Sequence, residues 1–194
     1  MKKYEFTGET KRVELWNRTA TLHRIKATVE FGFVKVGELG GWIEKEENLS
    51  HEGKAWVCGN AKVCGDAEVC GDAEVWGNAE VWGNAEVCGD AEVWGNAKVW
   101  GNAKVCGDAK VCGDAEVFLA SHVLVMGSVG SRNDFTTFFR DKDNEITVKC
   151  GCFLGKIDKF LEKVTQTHGN NKYALVYRAA VEVAKLQIEL TERK

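Results

Sequence analysis

Every sixth residue from Val57 to Val129 is a valine, and two places before each stands a small residue, alanine from Ala55 to Ala115 and then Ser121 and Gly127. Within one unit, Ala61-Lys62-Val63-Cys64 alternates as a strand does, so Ala61 and Val63 face one side while Lys62 and Cys64 face the other. Gly65-Asp66 then bends the chain, because glycine accepts positive φ and Asp or Asn tolerates tight turns. The unit V-x-G-[ND]-A-x is therefore one short strand and one corner. It cannot bury its apolar side alone and must stack on its own copies.

Three corners close a triangle, and the longer period agrees. Val69 to Glu86 and the next eighteen residues, Val87 to Lys104, differ only in that Lys98 and Lys104 stand where Glu80 and Glu86 do. Residues eighteen apart then lie above one another at the β spacing of about 4.8 Å. One outer column reads Cys70, Cys88, Cys106, beside the corner residues Asp72, Asp90 and Asp108; a second reads Cys58, Trp76, Trp94, Cys112, beside Asn60, Asn78, Asn96 and Asp114. A third reads Cys64, Trp82, Trp100, Phe118. A charged column, Lys62, Glu80, Lys98, Glu116, alternates in sign as cross-coil neighbours should. The pattern predicts a mainly β chain, a three-sided parallel β-helix of about four coils.

The flanks lose this period. Residues 1–52 read as an N-terminal β cap: "KKYEF", "RVELW" and "TLHRIKATVEF" are short strands, and "GELGGWIEKEENLS" is expected to close the first coil with Trp42, Ile43 and Leu49 as apolar plugs. The repeat region is assigned to 53–130, although beyond Val117 Leu119, Val125 and Met126 occupy places that were Gly or Asn. Residues 131–194 read as a small ββαα unit, a hairpin around Asp141-Lys142-Asp143-Asn144 and two helices. Ile157, Phe160, Leu161 and Val164 share a face of the first helix. On the second, Val176, Ala179, Ala180, Val183, Leu186 and Leu190 form a stripe assigned to cover the hairpin, with self-association as the alternative.

Composition narrows the function classes. The formal net charge of −3 over 194 residues argues against a generic nucleic-acid surface. No apolar run reaches the ~20 residues of a membrane span, and the N-terminus lacks the apolar stretch of a signal peptide, so the expectation is a cytoplasmic protein. Of the eight cysteines, six occupy the outward repeat position that Trp also fills, which reads as a position effect and, in a reducing compartment, as free thiols.

"GGWIEKEENLS" running into "GKAWVCGNAKV" resembles the start of the YdcK-type hexapeptide-repeat proteins, which are labelled as predicted acyltransferases. With "YEFTGET…LHRIKA" and "VKCGCFLGKIDKFLEKV…HGNNKYA", the whole chain is similar to small proteins carried by phages and prophages of Gram-positive bacteria. The resemblance implies a left-handed coil. It implies no established activity, and places the protein in the cytoplasm of a bacterial host.

Two function classes follow. Hexapeptide acyltransferases use CoA-linked donors in sites between protomers and need a general base, usually His. Of His23, His51, His122 and His168, His122 is in the repeat register, at the outward site otherwise held by Glu or Lys, and is the candidate base. No close histidine pair supports a zinc site, Cys150-Gly151-Cys152 reads as strand cysteines, and Cys70, Cys88 and Cys106 are the metal candidates left. The other class is a non-enzymatic scaffold without a cofactor. Its outward Trp76, Trp94, Trp82, Trp100 and Phe118 would bury against a second copy or a host protein, such as an antiviral-defence factor; a small signalling ligand is a further expected partner. That class is the preferred reading.

Overall fold

The computed structural model describes residues 2–15 and 18–190. The sequence read "KKYEF" and "RVELW" as separate strands; they join in one, β1 (Tyr4–Glu14), which pairs antiparallel with β2 (Thr19–Ala27) and shifts register between Phe6 and Thr10. Trp16, read as the end of a strand, lies outside the described residues. β2 pairs antiparallel with β3 (Leu39–Ile43).

From β4 (Trp56–Val57) to β14 (Glu116–Val117) a two-residue strand recurs every six residues. These strands sort into three parallel stacks, β3-β5-β8-β11-β14, β4-β7-β10-β13 and β6-β9-β12. The register is the one the eighteen-residue period requires, with Val63 beside Val81, Val69 beside Val87 and Val75 beside Val93. Every valine from Val57 to Val117 and every alanine from Ala55 to Ala115 is buried in one continuous core. Burying a Val side chain contributes roughly 1.5–3 kcal/mol, so near-identical coils repeat the same gain. The corners need glycine: Gly71 has φ +69°, and a Cβ there would stand 2.9 Å from the backbone nitrogen of Gly89.

Both ends of the repeat lie elsewhere than the sequence boundaries placed them. Trp42–Ile43 pairs in parallel with Lys62–Val63, and Leu49 bridges Val69, so the first coil begins inside β3 rather than near residue 53. Ile43 and Leu49 are therefore interior rungs, while Trp42 points outward beneath the ammonium of Lys11, 4.1 Å from its ring. The exposed backbone of this coil is met by Tyr4, whose hydroxyl donates to the carbonyls of Glu46 and Leu49, and by Lys3, whose Nζ donates to that of Ala55.

At the other end the coils stop at Val117. Val123 to Val129, read as decaying repeats, form β15 (Val123–Val129), which turns back antiparallel to β16 (Asp134–Arg140). The expected hairpin is thus part of a four-stranded antiparallel sheet with β17 (Ile146–Cys150) and β18 (Phe153–Lys156). β16 lies across the last coil and caps it: Lys110 N donates to Thr137 Oγ1, Arg140 Nη1 to the Glu116 carbonyl, and Lys142 N to the Asp114 carbonyl. Such caps satisfy backbone groups that an open solenoid end would expose.

α1 (Ile157–His168) and α2 (Lys172–Gln187) pack on this sheet. The predicted face of α1 is the packed one, with Phe160 and Val164 buried and Ile157 and Leu161 partly so. α2 departs from the sequence assignment. Its packed face is Ala174, Tyr177, Ala180, Val181 and Ala184, continued by Ile188, and the stripe assigned to cover the sheet points outward, Ala180 excepted.

Candidate interaction surfaces

The outward positions of the coils carry the ladders that the columns foretold. Trp76 and Trp94 stack with ring centroids 4.9 Å apart and planes 2° from parallel; Trp82 and Trp100 stack at 5.0 Å and 3°, and Phe118 continues that column at 5.0 Å. Parallel in-register strands force this spacing, because identical side chains sit one β repeat apart. At the corners the Asn60, Asn78, Asn96, Asp114 column is joined by side-chain hydrogen bonds of 3.2–3.3 Å.

These aromatic faces are less open than the sequence implied. Trp76, Trp82, Trp94, Trp100 and Phe118 are each half-buried. The β1–β2 hairpin folds over the start of the Trp82 column, where Val13, Leu15, Ala20 and Leu22 pack with Cys64 and Trp82. At the far end the Arg140 guanidinium lies 5.0 Å over the Phe118 ring, and Lys149 Nζ lies 5.9 Å from that of Trp94. Cys64 and Cys112, two of the thiols at the ends of these columns, are buried, and burial pushes each up to about 11.

His122 is not at an outward site. It ends a single helical turn, Ala120–His122, and is fully buried, with its ring edge-on to Phe118 at 4.2 Å. Its Nδ1 accepts a long hydrogen bond, 3.4 Å, from Phe118 N, and its Nε2 is buried without a partner among the described residues. Burial, helped by the Arg140 charge, lowers its pKa to about 4. The physical reason for the misplacement is the early end of the coils: once the chain leaves the solenoid after Val117, the six-residue register no longer says which way a side chain points.

Of the cysteine column that supplied the metal candidates, the structure brings Cys88 and Cys106 together and leaves Cys70 apart. Cys88 and Cys106 are joined as a disulfide across successive coils, with Cα atoms 4.7 Å apart, within the range that a disulfide accepts. The expectation of free thiols is tied to a reducing compartment, and the other six cysteines are free. Among the described residues, the Glu86 carboxylate is the third donor near these two sulfurs, but Glu86 is ion-paired to Lys104 at 2.9 Å. Cys70 stays outside that group, and burial together with Glu68 and Glu86 raises its pKa, which favours the thiol over the metal-binding thiolate.

One open apolar surface is the one that the sequence pattern assigned to the interior. On α2, Val176, Ala179, Val183 and Leu186 follow a 3-4-3 spacing, while Leu190 lies past the helix end at Gln187; Leu186 is 89% exposed, Leu175 59% and Val183 45%. That spacing is the a/d seam of a paired helix. It was visible in the sequence; what hid its direction was a second apolar face on the same helix, made mostly of alanines.

The geometry so far defines a class, a three-sided parallel β-solenoid carrying an antiparallel sheet and two helices at its C-terminal end. No protein-family model matches the chain, and no curated protein matches it. Among the described residues, no helix is long and apolar enough to cross a membrane.

Proposed function

We propose that the protein is a non-enzymatic binding scaffold that pairs with a second copy of itself through α2 and presents the solenoid faces to a partner. The observation that carries this reading is the exposed 3-4-3 stripe from Val176 to Leu186. A stripe of this kind is self-complementary when two copies lie antiparallel. The half-buried tryptophan ladders serve first to hold coils together and keep part of their area for a partner. The resemblance to phage- and prophage-borne chains makes a host protein the partner to seek.

The acyltransferase alternative loses its in-register base, since His122 is buried and its Nδ1 is spent on the backbone of Phe118. Light scattering tests the preferred reading. The wild-type chain is expected to be dimeric, and Val183→Glu/Leu186→Glu to be monomeric with an unchanged circular-dichroism spectrum, since both positions are exposed. A wild-type monomer at high micromolar concentration overturns the self-pairing.

A further inference from the structure

The C-terminal unit holds a cavity that neither the solenoid faces nor the α2 stripe uses. It measures about 290 Å³ and opens where residues 131–134, the Cys150–Phe153 turn, α1 and Tyr177 converge. That is near the lower end of the volumes that take small organic ligands.

Its floor is apolar. Phe160 and Val164 are buried, and Phe153 tilts against Phe160 with ring centroids 5.3 Å apart. Its rim is cationic. Arg132 and Lys163 both line it, and among the described residues neither has a hydrogen bond or an ion pair. Both are exposed and hydrated, and an anion at the mouth would be attracted by two positive charges at once. Asp134 adds a carboxylate to the same rim, able to accept from a ligand N–H or O–H.

The cavity's end wall is polar and built. Gly130 has φ +76°, and a Cβ there would stand 1.9 Å from the Tyr177 hydroxyl, so only glycine lets that hydroxyl reach its place. Tyr177 Oη accepts a weak contact from Cys150 Sγ at 4.0 Å, and among the described residues its own proton has no acceptor. Burial and the neighbouring Cys150 push the phenol up to about 12, so that proton stays on at neutral pH. Thr136 Oγ1, 3.2 Å from Cys150 Sγ, fixes the thiol from behind, and His168 stacks on Tyr177 at 5.9 Å.

We propose that this cavity binds a small organic anion, a phosphate or carboxylate on an apolar body about the size of one ring. Arg132 and Lys163 take the charge, Tyr177 donates a hydrogen bond, and Phe153, Phe160 and Val164 receive the body. This holds whether or not α2 pairs with a second copy, because Tyr177 belongs to the packed face of that helix and not to the exposed stripe.

The test is calorimetric titration of the full chain with phenyl phosphate, benzoate and inorganic phosphate. Phenyl phosphate or benzoate is expected to bind saturably, at least tenfold more tightly than inorganic phosphate, and whichever of the two wins assigns the charged group. Arg132→Gln/Lys163→Gln, at two exposed positions, should weaken that binding at least tenfold, while Arg178→Gln outside the cavity should leave it unchanged. Three results overturn the proposal: no saturable binding of either ring-bearing anion, inorganic phosphate binding as tightly as they do, or a double variant that binds like the wild type.

Discussion

Phe118 carries an N–H that points past the last coil, and the group that meets it is Nδ1 of His122. Only a neutral imidazole can accept there, and burial with Arg140 nearby keeps it neutral by lowering its pKa from 6.5 to about 4. The folded state therefore binds this proton more weakly than the unfolded chain. The stabilisation is full above pH 6.5 and falls away as pH drops from there toward 4, amounting to about 3 kcal/mol over that window. Urea unfolding at pH 7 and pH 4.5 should show the loss, and it should shrink in His122→Gln. His122→Ala should cost about 1–3 kcal/mol at pH 7, since it removes the acceptor that meets the Phe118 N–H. Gly71→Ala should cost at least as much, because an L residue at φ +69° is strained by about 1–2 kcal/mol before the 2.9 Å approach to Gly89 is counted. Thermal melts at neutral pH check both. The repeating glycine was legible as a corner; the capping histidine was not, because its partner is a backbone group set by where the coils end.

At the scale of elements, the two-residue strands make few contacts of their own and are held by the copies above and below. The Cys88–Cys106 disulfide ties two such copies together and closes a loop of eighteen residues. On the chain-entropy account a loop of that size is worth roughly 3 kcal/mol, so reduction should lower the urea midpoint, and a Cys88→Ser/Cys106→Ser variant should show no further change on reduction. A wild-type midpoint that ignores reductant would mean the pair contributes nothing to stability. Which cysteines pair was not readable from the column: Cys70, Cys88 and Cys106 share one spacing, and the choice between neighbours depends on side-chain rotamers. The C-terminal sheet was half readable. β16 and β17 stood out around a polar turn, but β15 still carried valines at the six-residue period and so was counted with the coils.

At the scale of the whole molecule, a solenoid must end, and its two ends are closed by different devices. Side chains of Lys3 and Tyr4 reach the first coil, while an entire strand, β16, lies over the last. Deleting residues from 131 onward should therefore expose the last coil as a sticky edge, and the truncated chain is expected to aggregate on heating at a temperature where the full chain stays clear, as read by light scattering. A truncation that stays soluble and melts like the full chain would show that β15 alone is enough of a cap. The same C-terminal unit carries the α2 stripe and the Arg132–Lys163 cavity, so the surfaces with unspent chemistry lie together at one end of the protein.

The sequence by itself determined the coil: a six-residue alternation with glycine corners leaves no other way to bury the valines, and the eighteen-residue copy sets which side chains stack. It also determined that α2 has apolar positions at paired-helix spacing. Only the tertiary structure decided which face of α2 is covered, where the coils stop, how deeply the tryptophans lie, and that Arg132, Lys163 and Tyr177 share one cavity. The physical reason is range. Periodic burial is a local property that repeats with the chain, whereas a cap, a covered face or a cavity wall depends on residues far apart in sequence, whose meeting no local pattern records.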